Sequence, residues 1–160
     1  NNIDVFATAY DTTLKDSSYD FVFCTGVLEH LEEPKNALNE SLRILEKGGY
    51  ALYTMPLFWH LHEEPRDFFR YTKYGLTYLF EKAGFEIVSI KPLAGFWVTF
   101  GSELNYYCLS LCRGKLKYLA KVFILLNNIF CYFINILDLK LNKATTKWTW
   151  NYLVIAKKPK

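Results

Sequence analysis

Apolar and polar positions along this chain follow two periods, one of strands and one of helices. Ile3 to Ala7 reads as a short strand, and Asp11 to Asp20 is polar and turn-forming around Lys15-Asp16-Ser17-Ser18. Asp20-Phe21-Val22-Phe23-Cys24-Thr25 is a compact apolar run, which predicts a strand buried on both faces, as in a parallel sheet. Pro34 suits a first helical turn; Ala37, Leu38, Leu42 and Leu45 follow, and Gly48-Gly49 is expected to stop that helix. Tyr50 to Met55 is the next strand, closed by Pro56. Thr72 is placed to cap a helix whose inward stripe is Leu76, Leu79, Phe80 and Ala83, with Gly84 as its left-handed stop. Phe85 to Ile90 and Trp148 to Ala156 complete the strands, ahead of a Lys157-Lys158-Pro159-Lys160 tail.

Strands alternating with helices across short connections predict an α/β domain with a parallel sheet and helices on its faces. Residues 93–147 break the rhythm, being far longer than a crossover needs. They read as two helices, about Ser102 to Cys112 and about Lys115 to Leu137. Val122 to Leu137 is sixteen residues without a charge, but Asn127, Asn128 and Asn135 interrupt it. A bilayer-spanning helix needs ~20 apolar residues, so a full span is not expected. Arg113, Lys115, Lys117 and Lys121 lie just before it. Two readings fit: peripheral membrane contact through residues 113–137, or a lid or dimer face whose apolar side covers the sheet or a second copy of the chain.

The 160 residues amount to about one domain, and 51% hydrophobic with 22% charged excludes a disordered tail. The net charge of +3 hides a division. Residues 1–92 hold nine Lys/Arg against fourteen Asp/Glu, whereas residues 93–160 hold ten against two. A basic, aromatic-rich second half points to an anionic partner. Cys24, Cys108, Cys112 and Cys131 form no CxxC pair, which fits reduced thiols and a cytoplasmic location. No secretory signal opens the chain, and a start at Asn1 makes processing or truncation an expectation.

The stretch Asp16-Ser17-Ser18-Tyr19-Asp20-Phe21-Val22-Phe23-Cys24-Thr25-Gly26-Val27-Leu28-Glu29-His30-Leu31 resembles the middle of class I S-adenosylmethionine-dependent methyltransferases, where D-x-S-F-D-x-V-x-x-x-x-V-L-E-H-L recurs. The likeness continues through Pro34, Glu40, Arg43-Ile44-Leu45, Gly48-Gly49 and Pro56, and into His62-Glu63-Glu64-Pro65-Arg66-Asp67-Phe68-Phe69-Arg70-Tyr71-Thr72 and Gly84-Phe85-Glu86. These later blocks are similar to the small-molecule subgroup near the ubiquinone-biosynthesis and sugar-cluster enzymes. The resemblance covers about residues 3–92, with Trp150 to Lys157 as the final strand. It implies a Rossmann-like methyltransferase sheet, incomplete at its amino-terminal side, with a helical insert before the last strand. Residues 1–92 and 148–160 would then be a partial methyltransferase domain and residues 93–147 the insert.

The resemblance also implies S-adenosyl-L-methionine as cofactor, with Thr8, Ala9, Thr25, Gly26 and Val27 around it. Independently of the family, a strand ending in Cys24-Thr25-Gly26 puts small residues at the carboxyl edge of a parallel sheet, where open α/β folds bind ligands. His30 is the candidate general base, a neutral imidazole being suited to a hydroxyl or phenol near pH 7; the plainer reading is that Glu29 and His30 cap the next helix. His62, Arg66 and Arg70 are candidate acceptor-binding residues, and a surface ion-pair network is the alternative for that loop. Glu29 and His30 are too few ligands for a tight metal site, so no obligatory metal is expected.

Two departures from the family pattern stand out. Thr8 occupies the position of the usual acidic partner of the adenine, with Asp11 as a substitute. The glycine-rich loop and the acidic ribose ligand that precede this region in the family have no counterpart in residues 1–20, so the chain is expected to be the carboxyl-terminal two-thirds of a longer enzyme or a degenerate relative. The favoured function is methyl transfer to an oxygen or nitrogen of a small or lipid-linked acceptor. The alternative is a non-catalytic module with an interaction or membrane-surface role; nucleic acid is not an expected partner, for want of an Asn/Asp-Pro-Pro-Tyr block.

Overall fold

A computed structural model describes residues 4–141 and 147–160, so Ile3 at the start of the first expected strand and residues 142–146 of the insert lie outside it. The elements are β1 (Tyr19–Thr25), a single 3-10 turn (Leu28–His30), α1 (Pro34–Ile44), β2 (Leu45–Pro56), α2 (Lys73–Lys82), β3 (Glu86–Pro92), α3 (Phe96–Leu111), α4 (Leu116–Leu141) and β4 (Asn151–Lys157). The four strands form one sheet in the order β1-β2-β4-β3.

β1 and β2 pair in parallel, Phe21 opposite Tyr50 through Thr25 opposite Thr54. Gly48 N–H donates to Lys158 O (3.0 Å) and Lys158 N–H to Gly49 O (2.9 Å), placing the end of β4 beside the start of β2. The last strand is therefore antiparallel to its neighbour, a correction to an all-parallel expectation. Along β2 and β4 the inward residues recur every second position: Ala51, Tyr53 and Met55 on one, Tyr152, Val154 and Ala156 on the other. Leu38 of α1 and Leu76 and Phe80 of α2 close over them with no exposed surface. Each such side chain contributes about 1.5–3 kcal/mol.

Other expectations fail for physical reasons. Asp4 to Ala7 form no strand; Val5 and Phe6 are exposed, and the one ladder contact nearby is an isolated bridge from Thr8 to Asp11. A strand needs a partner, and β1 is here the edge of the sheet. For the same reason β1 is not buried on both faces: Tyr19, Phe21 and Phe23 are exposed, Phe23 by 64%. Gly48-Gly49 does not stop α1, which ends at Ile44 as Leu45 turns extended into the core. Both glycines lie in β2, and a Cβ on Gly49 would come within 3.0 Å of the backbone oxygens of Asp20 and Glu46. α3 begins six residues earlier than expected, at Phe96, and the final strand begins at Asn151 rather than Trp148. The cap on α2 is as expected, with Gly75 N–H donating to Thr72 Oγ1 at 3.0 Å.

The chain divides into two compact units. One holds residues 1–57, 61–91 and 152–160; the other holds residues 58–60 and 92–151, with α3 and α4 packed on each other.

Candidate functional site

The carboxyl end of β1 is open. Thr25, Gly26 and Val27 are all exposed, so the ledge they form is accessible to a ligand. Gly26 has φ +61°, in the left-handed region that side chains avoid, and its N–H donates to Thr54 O at 3.1 Å. That bend turns the chain from the strand into the 3-10 turn carrying Glu29 and His30. Neither residue caps α1, whose N-cap position is Glu33 with no side-chain cap bond. The plainer reading of that pair is thereby overturned.

Glu29 is 3% exposed, and its Oε2 has no hydrogen-bond partner. Burial pushes its carboxyl above the ordinary carboxylate range, against the pull of His30, His62 and Arg70. The Glu29 backbone is held as well, its carbonyl accepting from Phe68 N–H (2.9 Å) and Phe69 N–H (3.2 Å). Tyr71 clamps the same turn through its hydroxyl, which donates to Leu28 O at 3.0 Å. Two segments far apart in sequence are thus fastened together: the end of β1 and the 62–72 loop.

His30 Nδ1 sits 2.5 Å from Arg66 O. A carbonyl only accepts, so Nδ1 carries the proton in the neutral ring and Nε2 is its basic atom. That Nε2 lies 4.0 Å from Glu29 Oε1. The His62 ring meets the His30 ring edge-on, centroids 4.7 Å apart. His62 Nδ1 lies 3.4 Å from Asp67 Oδ2, and Asp67 in turn accepts two bonds from Arg70, at 2.6 and 2.7 Å. Arg70 holds the Asp67 carboxyl well below its usual range. Of the expected acceptor-binding residues, Arg70 is therefore engaged in an internal ion pair, while Arg66 is exposed.

A cavity of about 180 Å³ opens here, lined by Tyr10, His30, Leu31, Glu32, Arg66 and Phe68. It brings His30 and Arg66 together; Thr8, Ala9, Thr25, Gly26, Val27 and His62 are not among its lining residues. Thr8 spends its hydroxyl on Asp11, accepting from the N–H at 3.1 Å, and Ala9 is half-buried against the core. Tyr10, which sequence reasoning passed over, lines the cavity, and its hydroxyl accepts from Glu33 N–H at 3.3 Å.

Glu29, His30 and His62 each bring one ligand atom within 4.8 Å of the others. The expectation of no metal rested on two ligands, and His62 makes a third. Among the described residues these are the groups that would hold a divalent ion. His60 is not part of that set, since its Nδ1 lies 3.1 Å from Glu103 Oε2 in the other unit. There His60, Glu103, Tyr106, Tyr107 and Ser110 line a second cavity, of about 330 Å³.

Burial raises the thiol of Cys24, inside β1, to about 11. It remains a protonated packing group at neutral pH, in line with the four free cysteines.

Comparison with known proteins adds what geometry alone does not. Residues 3–53, about a third of the chain, match the family model described as a methyltransferase domain. No curated protein sequence matches the chain. Solved structures do. Phosphoethanolamine N-methyltransferase 2 of Haemonchus contortus, solved with S-adenosyl-L-methionine, is 21% identical over 96% of this chain and 36% of its own, with a TM-score of 0.56. A SAM-dependent methyltransferase of Archaeoglobus fulgidus is 19% identical over 96% of this chain and 66% of its own, with a TM-score of 0.56. SpnF, a cyclase, reaches the same TM-score of 0.56 at 19% identity over 96% and 54%. At this identity the likeness establishes the fold alone, a Rossmann-like α/β sheet. The present chain spans 54% of SpnF and 36% of the Haemonchus enzyme.

Proposed function

We propose that this chain, whose residues 3–53 match the methyltransferase-domain family model, is the acceptor-side part of an S-adenosyl-L-methionine-dependent methyltransferase. The observation that carries the proposal is the pairing of an exposed, left-handed Gly26 at the carboxyl end of β1 with a His30 ring whose Nδ1 is engaged by the Arg66 carbonyl. Fold alone would not suffice, because one structure of this fold is a cyclase. A non-catalytic role gives no reason for an orphaned buried carboxylate oxygen beside an accessible ledge.

The residues present fit part of the donor. Thr25, Gly26 and Val27 would hold it on the ledge, where Gly26 lets a flat group approach the backbone. Thr8 and Ala9 would flank its adenine. The bound donor supplies an activated methyl group on a sulfonium. His30 Nε2 takes the proton from an acceptor hydroxyl or amine, and Nδ1–H stays on Arg66 O, so the imidazolium that forms keeps its orientation. Arg66, exposed on the cavity wall, meets an anionic group of the acceptor. Asp67 and Arg70 position His62 rather than touch the acceptor. The acceptor is a small or lipid-linked molecule, with membrane contact through residues 113–137, in a cytoplasmic enzyme.

Equilibrium dialysis with tritiated S-adenosylmethionine, followed by transfer assays on small hydroxylated and aminated acceptors and on a polyprenyl lipid fraction, tests this reading. The expected result is donor binding that survives His30→Asn and methyl transfer that falls on the order of 100-fold or more in that variant. Transfer at the unmodified rate by His30→Asn would remove the base, and absence of donor binding at millimolar concentration would remove the donor-holding role of the Thr25-Gly26-Val27 ledge.

A further inference from the structure

The α3–α4 pair is built inside out. Its amides meet between the helices: Asn105 Nδ2 donates to Asn128 Oδ1 at 2.7 Å, and Asn127 Nδ2 donates to both Asn105 Oδ1 and Gly101 O at 2.9 Å. At that crossing Gly101 admits the neighbouring helix closely, since a Cβ there would lie 3.2 Å from Cys131 Cβ and run into its sulfur. Facing outward, Leu119, Val122, Leu126, Ile129, Phe133 and Leu137 stand three or four residues apart on one side of α4, each 47–70% exposed. A helix pair in water puts its apolar stripe inside and its amides outside. A pair in lipid uses small residues and amides as the contact and turns its apolar side chains out.

Charge names the occupant of that face. Arg113, Lys115, Lys117 and Lys121 are exposed where the chain turns from α3 into α4, and no Asp or Glu occurs from residue 104 to 137. Lipid phosphates complement four cations; the same stretch of a second copy brings no acid to meet them. Length sets the depth. α4 is long and apolar enough to cross a membrane by composition, but its uncharged stretch of sixteen residues, Val122 to Leu137, spans only about 24 Å against ~30 Å of hydrocarbon. α3, at 16 residues, has the same reach and carries Glu103. A crossing would leave both arms short, whereas a seat in one leaflet leaves the cations at the phosphates and the apolar face among the acyl chains.

We infer that the α3–α4 hairpin is a monotopic anchor that seats this protein in one leaflet of an anionic membrane. The inference stands on this unit alone and does not depend on methyl transfer.

Flotation of the whole chain on vesicles tests it, with phosphatidylcholine alone compared with three parts phosphatidylcholine to one part phosphatidylglycerol. The chain floats with the anionic vesicles and far less with the neutral ones. Lys117→Gln with Lys121→Gln weakens anionic partitioning on the order of 30-fold, about 1 kcal/mol for each cation. Leu126→Asp with Phe133→Asp, both at exposed positions, weakens it on the order of 100-fold while far-UV circular dichroism is unchanged. Should that variant lose its fold, the unsubstituted chain decides the matter. Trp97 sits against Phe130, ring centroids 5.9 Å apart, so lipids with brominated acyl chains quench the fluorescence of the native chain more than that of Trp97→Phe. Failure to float, equal flotation on neutral vesicles, an unquenched Trp97, or light scattering that shows the Leu126–Phe133 face consumed in a dimer without vesicle binding would each overturn the inference.

Discussion

Replacing Gly26 by alanine isolates the backbone geometry on which the ledge depends. At φ +61° an L side chain costs about 1–2 kcal/mol. The new Cβ would lie 3.6 Å from Glu29 Oε1, an ordinary van der Waals distance, so no clash is added. The hydrogen bond from the residue's N–H to Thr54 O is kept by any residue except proline. Alanine also restricts the unfolded chain, which returns ~0.5–1 kcal/mol. The net loss is about 1 kcal/mol, or roughly 2–4 °C in Tm for a chain of this length. Asparagine, which tolerates left-handed φ, should lose about half as much. Urea unfolding followed by far-UV circular dichroism reads both as midpoint shifts at constant slope. An unchanged midpoint for Gly26→Ala, or a larger loss for Gly26→Asn than for Gly26→Ala, would refute the claim that this turn is held left-handed.

Acid should weaken the fold through Glu40, whose carboxyl is held down to about 2 by Arg43 and by bonds from Thr12. A depressed carboxyl adds stability that is present above its ordinary 4.5 and is lost as pH falls toward about 2; with Arg43 a third exposed, solvent screening leaves on the order of 1 kcal/mol. Denaturant titrations across that window, repeated with Arg43→Met, should show the acid sensitivity shrink, whereas Glu29, raised by burial, works in the opposite direction and gains as it protonates. Gly101→Ala should cost about 1–3 kcal/mol through overpacking against Cys131, and adding Cys131→Ala should recover part of it in a double-mutant cycle. Thr72→Ala should cost about 1 kcal/mol by uncapping α2, with Thr72→Ser recovering most of it.

Sequence alone reached the elements whose signals are local. Thr72 and the stripe through Leu76 and Phe80 define α2 without help from the rest of the chain, and the apolar run Phe21 to Thr25 is a strand whichever neighbour it has. What needed a neighbour was legible only through the family resemblance, whose missing first two strands leave the Ile3 to Ala7 segment unpartnered and the edge of Phe21 to Thr25 bare. The exposure of Phe21 and Phe23 follows from β1 being an edge, and Asp4 to Ala7 stay irregular because no strand pairs with them. Gly48-Gly49 carries the same letters whether it stops a helix or opens a strand; the close backbone of Asp20 decides, and that is a tertiary fact. Within the site, Glu29 and His30 drew attention as a block, but His62 joins them only because Phe68 and Phe69 bond back to Glu29 O across some forty residues. Tyr10 left no signal of its own. The inverted α3–α4 pairing was half legible: the three asparagines in an apolar run were visible, but that Asn127 bonds to Gly101 and Asn128 to Asn105 is a tertiary fact.

Amide chemical-shift mapping of the 160-residue chain with millimolar S-adenosylhomocysteine tests whether the end of β1 is a donor-binding ledge. Perturbations are expected chiefly at Thr25, Gly26, Val27 and His30, with weaker ones at Thr8 and Ala9. A spectrum that stays unchanged at those six amides, or moves only at residues of α3 and α4, would contradict it.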